Sequence, residues 1–163
     1  MGETVSRVAF EVNGTPVTVG SHHPHLLAAL REELNITSPK DGCSPSGQCG
    51  CCTVMVNGKA VVSCQTPLEK VDGGTVVTLE GIDQTERDKY SQAFAACGGL
   101  QCGFCTPGMI MTATDMVARY QAAGKTLTEE NIRHELEGNI CRCTGYHNIV
   151  KSIADGASKM TSA

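Results

Sequence analysis

A chain of 163 residues, 40% of them apolar, has enough apolar mass for one ordinary core or two small ones, which excludes disorder as its resting state. A net charge of -4, three Tyr, three Phe and no Trp leave neither a basic footprint nor a stacking platform, which argues against nucleic acid as a partner. No stretch reaches the roughly 18 uninterrupted apolar residues of a membrane span, and MGETVSRVAFEVNG shows no charged leader before an apolar run, so a cytoplasmic protein without a transmembrane segment is expected.

The chain opens on alternation. Val8, Phe10 and Val12 alternate with polar neighbours, Asn13-Gly14 offers a tight turn, and Val17 and Val19 alternate again, which predicts a β-hairpin. Residues 25–34, HLLAALREEL, follow Pro24 and set Leu27, Leu30 and Leu34 on one stripe, as in a short amphipathic helix covering that sheet. TVMVNGKAVVS at 53–63 predicts a second hairpin around Asn57-Gly58, and TVVTLEG at 75–81 a closing strand. Sheet, helix and sheet make residues 1–81 a compact α+β unit.

After Gly81-Ile82-Asp83 the apolar period becomes helical. Tyr90, Phe94 and Cys97 form one stripe; Met109, Ala113, Met116, Val117 and Tyr120 a second; Ile132 and Leu136 a third; Ile149, Val150, Ile153 and Ala157 a fourth. Pro107 suits a first helical turn, Thr128 an N-cap and Gly138 a stop. Residues 82–163 are therefore expected to form a small helical bundle.

Ten cysteines in a reducing compartment point to metal or redox work rather than to disulfides. Eight fall into two quartets. Cys43, Cys49, Cys52 and Cys64 read C-x5-C-x2-C-x11-C, three from one loop and the fourth from the far strand of the Asn57-Gly58 hairpin. Gly42, Gly47 and Gly50 would let that loop wrap closely, with backbone N–H groups turned toward sulfur. Cys102, Cys105, Cys141 and Cys143 read C-x2-C-x35-C-x-C, each pair beside a helix end, so that folding of the bundle would join them. Such quartets hold iron-sulfur clusters or structural zinc, and spacing alone leaves both open.

The remaining candidates are weaker. Cys97 lies on an apolar stripe and is expected in a core; Cys51 adjoins Cys52, which is preferred as ligand because x2 spacing from Cys49 lets both sulfurs face one centre. His22, His23, His25 and His134 suit surface or hydrogen-bonded roles, His147 follows the last cysteine pair as a tuning rather than binding group, and Met109-Ile110-Met111 suits core packing. There is no G-x-G-x-x-G after a strand, no P-loop and no arguable nucleophilic triad.

GQCGCCTVMVNGKAVVSC at 47–64, GLQCGFCTPGMIM at 99–111 and EGNICRCTGYHNIV at 137–150 resemble the small iron-sulfur subunit of the molybdenum hydroxylase family, which includes xanthine dehydrogenases, aldehyde oxidoreductases and aerobic carbon monoxide dehydrogenases. The resemblance implies a plant-ferredoxin-like β-grasp domain followed by a four-helix bundle, with a 2Fe-2S cluster in each. The first quartet would hold the cluster nearer a medium FAD subunit, the second the cluster nearer a large molybdenum-pterin subunit, with Gln101 and Cys143 close to the pterin. It further implies an oxidoreductase complex, a hetero-oligomer for which a dimer of heterotrimers is one arrangement, with no substrate site on this chain. A zinc-bound assembly module and a freestanding ferredoxin are the alternatives. Two features depart from the family pattern: the first loop is C-x5-C where C-x4-C is usual, and Cys51 stands where a small non-thiol residue is commoner.

Overall fold

The computed structural model describes residues 7–161. Strands β1 (Arg7–Val12) and β2 (Thr15–Gly20) pair antiparallel, Val12 opposite Thr15, about the predicted Asn13-Gly14 turn. Both turn residues have positive φ, 51° and 79°, the geometry whose twist matches a tight hairpin.

The predicted helix is present, but its winding changes. Helix α1 (Leu26–Ala28) continues as a π turn over Ala29–Glu33, closed by the Leu34 N–H donating to Ala29 O at 3.1 Å. His25 caps its start, Nδ1 accepting from the Ala28 N–H at 3.1 Å. Leu26, Ala29 and Leu30 enter the core of the sheet, whereas Leu27 packs with Cys52 and Cys64.

Strands β3 (Thr53–Val56) and β4 (Lys59–Val62) form the second hairpin, and β5 (Thr75–Val77) completes a five-stranded sheet of order β2-β1-β5-β3-β4. Strand β5 runs parallel to β1 and antiparallel to β3. The closing strand predicted over 75–81 is only three residues long. Asn13 ends it: its Oδ1 accepts the Thr78 N–H and its Nδ2 donates to Thr78 Oγ1, both at 2.9 Å, after which Leu79–Gly81 turns as a 3-10 helix.

Four longer helices follow, α2 (Gln84–Ala96), α3 (Thr106–Ala122), α4 (Glu129–Glu135) and α5 (His147–Thr161). Asp83 caps α2, Pro107 lies in the first turn of α3, and Thr128 caps α4 in a reciprocal box with Asn131. Cys97 departs from expectation: it is the C-cap of α2 and only half-buried, because the helix ends before its stripe reaches that position.

The molecule is a mixed α/β fold with two main apolar clusters. One lies between the sheet and α1, with Phe10, Val19, Leu26, Leu30 and Val54 buried; the other gathers Tyr90, Phe94, Met109, Met116, Ile132 and Ile149 among the helices. Met109, Ile110 and Met111 are all buried, as expected of core packing. Strand β3 joins the two, since Val54 belongs to the first cluster and Met55, on the opposite face, to the second. Each such buried side chain favours the fold by about 1.5–3 kcal/mol over leaving it in water. Among the described residues no helix is long and apolar enough to cross a membrane.

Candidate metal centres

All ten cysteines are unbridged, and nine of them, all but Cys97, stand where loops converge at the ends of strands and helices. The loop before β3 carries Cys43, Cys49, Cys51 and Cys52, and Cys64 lies in the 3-10 turn that follows β4. Gly50, with φ at 66°, leaves room for the second half of the chain: any side chain there would collide with Gly138 O and Asn139. That contact is a joint. Asn139 Nδ2 donates to Gly50 O at 3.2 Å, the Ile140 N–H donates to Cys49 O at 2.8 Å, and Thr112 Oγ1 donates to Asn139 Oδ1 at 3.1 Å. The loops of the two cysteine groups are thereby held against each other.

Within the first group one couple of sulfurs is formed, Cys52 with Cys64, while Cys43 is ringed by hydrogen-bond donors. Hydrogen bonds from the Ser46 side chain and from the backbone N–H groups of Cys49, Ser46 and Gln48 surround Cys43 Sγ and, against partial burial, bring its thiol down to about 6. Cys52 and Cys64 adjoin each other beneath Leu27; burial and the neighbouring Cys64 push the Cys52 thiol up to about 11, although the Cys64 N–H opposes this.

The second group forms where the approach to α3 meets the loop before α5. Cys102 Sγ and Cys143 Sγ lie 3.4 Å apart, and Cys105 adjoins Cys141. Burial, then the neighbouring Cys141 and Cys102, push the Cys105 thiol up to about 12. Burial also opposes ionisation at Cys141, but hydrogen bonds from Thr144 Oγ1 and from the N–H groups of Thr144 and Cys143 outweigh it and hold this thiol below its usual range. All four line one cavity of about 170 Å³ with Gly42, Cys49, Cys51, Phe104, Ile140 and Arg142. Tyr146, at φ 72°, braces this loop: its OH accepts the Cys141 N–H at 2.9 Å and donates to Asn139 O at 3.0 Å.

Cys51 adjoins Cys49, whose side chain it contacts and with which it shares a cavity wall. Its buried Sγ lies 3.7 Å from Cys49 O and 3.9 Å from Ile140 O, on the wall of the second group's cavity. Burial, then Cys49, Cys105 and Cys52, raise its thiol to about 12. Of the adjacent thiols Cys51 and Cys52, it is Cys52 that adjoins Cys64. Gln101 and Cys143 stand together at the surface, Gln101 Nε2 donating to Cys143 O at 3.1 Å. His147 opens α5 with its side chain exposed, and His134 pairs with Glu137 at 2.9 Å. The joint made by Asn139 and the brace made by Tyr146 escape a reading by cysteine spacing; the only local signal is that both lie inside the EGNICRCTGYHNIV stretch.

Pairing decides which metal group the thiols suit. Four sulfurs about 2.3 Å from one tetrahedral zinc stand about 3.8 Å from each other. Among the described residues no three cysteine sulfurs lie within 4.8 Å of one another. The two couples of the second group, Cys102 with Cys143 and Cys105 with Cys141, fit a two-iron group, each couple serving one iron, with N–H donors arranged around sulfur.

Comparison with known proteins agrees with this chemistry. Residues 10–79 match the 2Fe-2S iron-sulfur cluster binding domain family and residues 78–154 the 2Fe-2S binding domain family. The xanthine dehydrogenase iron-sulfur-binding subunit of Escherichia coli O157:H7 is 41% identical over 156 residues, 94% of each chain. The nicotinate dehydrogenase small FeS subunit of Eubacterium barkeri is 42% identical over 125 residues, 76% of each chain. A chain of quinoline 2-oxidoreductase from Pseudomonas putida 86 superposes with a TM-score of 0.85 at 34% identity, covering 96% of both chains. Two 2Fe-2S binding domains in one chain fit two clusters. With relatives of this identity matched along nearly its whole length, the chain belongs to the iron-sulfur subunits of the molybdenum hydroxylase family, components of oxidoreductase complexes.

Proposed function

We propose that this chain is the electron-transfer subunit of a cytoplasmic molybdenum hydroxylase, carrying electrons one at a time from a molybdenum-pterin centre on a large subunit to FAD on a medium subunit. Cys43, Cys49, Cys52 and Cys64 hold one 2Fe-2S cluster in a β-grasp domain over residues 1–81. Cys102, Cys105, Cys141 and Cys143 hold the other in a four-helix bundle over residues 82–163. Each cluster, when bound, supplies a one-electron couple that needs little movement of its ligands. Substrate oxidation belongs to the large subunit, and the complex is a hetero-oligomer such as a dimer of heterotrimers.

The observation that carries the reading is an apolar rim around an open thiol pair. Cys102 and Cys143 are exposed, and Leu100, Phe104 and Ile140 beside them are 43, 44 and 49% exposed, an arrangement suited to being covered by a partner. Gln101 lies on the same face, which supports its placement, with Cys143, toward the pterin. The first group is enclosed by comparison, and the Cys49–Ile140 hydrogen bond places its loop directly behind the second.

The order of transfer is tested in the assembled complex by rapid freezing after substrate is added. In Cys52→Ser, substrate should still reduce the remaining iron; in Cys105→Ser, it should leave the remaining iron oxidised. The opposite pattern would reverse the order.

A further inference from the structure

Between β2 and α1 the chain reads Ser21-His22-His23-Pro24-His25, a cluster outside both cysteine groups. His25 is committed to capping α1. His23 is buried, with each ring nitrogen turned to a carboxylate: Nε2 lies 2.9 Å from Glu33 Oε2 and Nδ1 lies 3.7 Å from Glu32 Oε2. Glu33 Oε2 also accepts the Gly20 N–H at 3.0 Å. The His22 ring is folded back over Gly20, where a β-carbon would overlap it, and its centroid lies 4.1 Å from that of His23.

We propose that His22, His23 and Glu33 form a binding site for a divalent transition metal of the zinc or cobalt class, separate from the iron-sulfur groups. One ligand atom from each of the three lies within 4.8 Å of the others, the only such set of His, Cys, Asp and Glu among the described residues. Two imidazoles and a carboxylate select zinc, cobalt, nickel or copper over magnesium and calcium, which prefer all-oxygen surroundings. Ligands about 2.0–2.1 Å from one metal subtend an edge of roughly 3 Å. The His23–Glu33 separation of 2.9 Å therefore already matches such an edge.

Charge and support point the same way. Glu32 and Glu33 both approach His23, yet among the described residues no lysine or arginine forms an ion pair with either. Arg31, next to them in sequence, is turned to Thr37 O and Pro39 O at 3.0 and 2.7 Å. A bound cation would supply the missing positive charge to both carboxylates. The Gly20 N–H orients Glu33 in the way outer hydrogen bonds orient metal ligands, and the bare α-carbon of Gly20 admits the His22 ring. The π turn over Ala29–Glu33 rotates Glu33 about the helix axis from where α winding would set it, a device common at functional sites.

The test uses the full chain with its clusters loaded and oxidised. Antiferromagnetically paired ferric irons then give no resonance, so bound high-spin Co(II) is read by electron paramagnetic resonance against a silent background. Titration should show one Co(II) per chain, displaced by zinc and free of thiolate charge-transfer absorption. His22→Ala, at an exposed position, and Glu33→Gln should each weaken binding at least about tenfold. Gly20→Ala should weaken it by displacing the His22 ring, and His134→Ala should leave it unchanged. Iron content and circular dichroism report folding in every variant. A wild-type chain that takes up no Co(II), or a His22→Ala chain that binds it equally well, overturns the proposal.

Discussion

In the group carried by the sheet half, Cys49, Cys52 and Cys64 are 6, 1 and 4% exposed, whereas in the group carried by the helices Cys102 and Cys143 stand in solvent. The contrast follows from what each loop folds against. Leu27 of α1 closes over Cys52 and Cys64, and the helical half packs on Cys49 through Ile140. Among the described residues none fully covers the rim of Leu100, Phe104 and Ile140. An enclosed group is insulated, with a potential set by its own N–H donors and burial; an open one takes part of its environment from whatever docks on it.

Removing ligands breaks the contrast most severely. Cys105→Ser should lower iron from about four to about two per chain and uncouple substrate oxidation from acceptor reduction, while Cys52→Ser should remove the other half. Cys51→Ser should retain about four, because Cys52 and not Cys51 adjoins Cys64; iron assay decides, and a loss in Cys51→Ser with retention in Cys52→Ser would exchange their roles. Next in size, Phe104→Asp should weaken association with the large subunit at least about tenfold, as loss of an apolar anchor does, with iron content unchanged. Equilibrium sedimentation of the mixed subunits would detect it.

Asn139→Ala sharpens the comparison by loosening the joint between the groups. It removes the Asn139 bonds to Gly50 O and Thr112 Oγ1, though Thr53 still donates to Gly50 O, and should cost about 0.5–1.5 kcal/mol in denaturant unfolding of the loaded chain. The smallest effect concerns Glu80, beside the last turn of the sheet half. Partial burial raises its carboxyl, but hydrogen bonds from Ser38 and Thr78 outweigh this and hold it below the usual carboxylate range. A depressed value in the folded state stabilises fully above the unfolded pKa and is lost as pH falls through the folded one. The stability gap between wild type and Glu80→Gln should therefore be widest near neutrality and narrow below about pH 4.5; a gap that is constant with pH would remove Glu80 from the acid response.

What the sequence makes legible is local. Asn13-Gly14 and Asn57-Gly58 mark both hairpins, and Thr128 marks the start of α4. Contacts between distant positions are not written in any short stretch. Strand β5 stops because Asn13, 65 residues away, captures Thr78, and the two groups meet because Asn139 reaches Gly50 across 89 residues. The π winding of α1 and the half-exposed end of α2 at Cys97 likewise depend on what packs beside them, which periodicity does not report. The direction of the Cys51 thiol was equally hidden, since adjacent loop residues can face opposite sides.

The most direct measurement is metal content with paramagnetic resonance of the dithionite-reduced chain, prepared anaerobically. Two cysteine quartets in two matched 2Fe-2S domains predict about four irons per chain and two distinguishable one-electron signals, one sensitive to partner binding and one indifferent to it. Zinc in place of iron, with no resonance on reduction, would contradict the account.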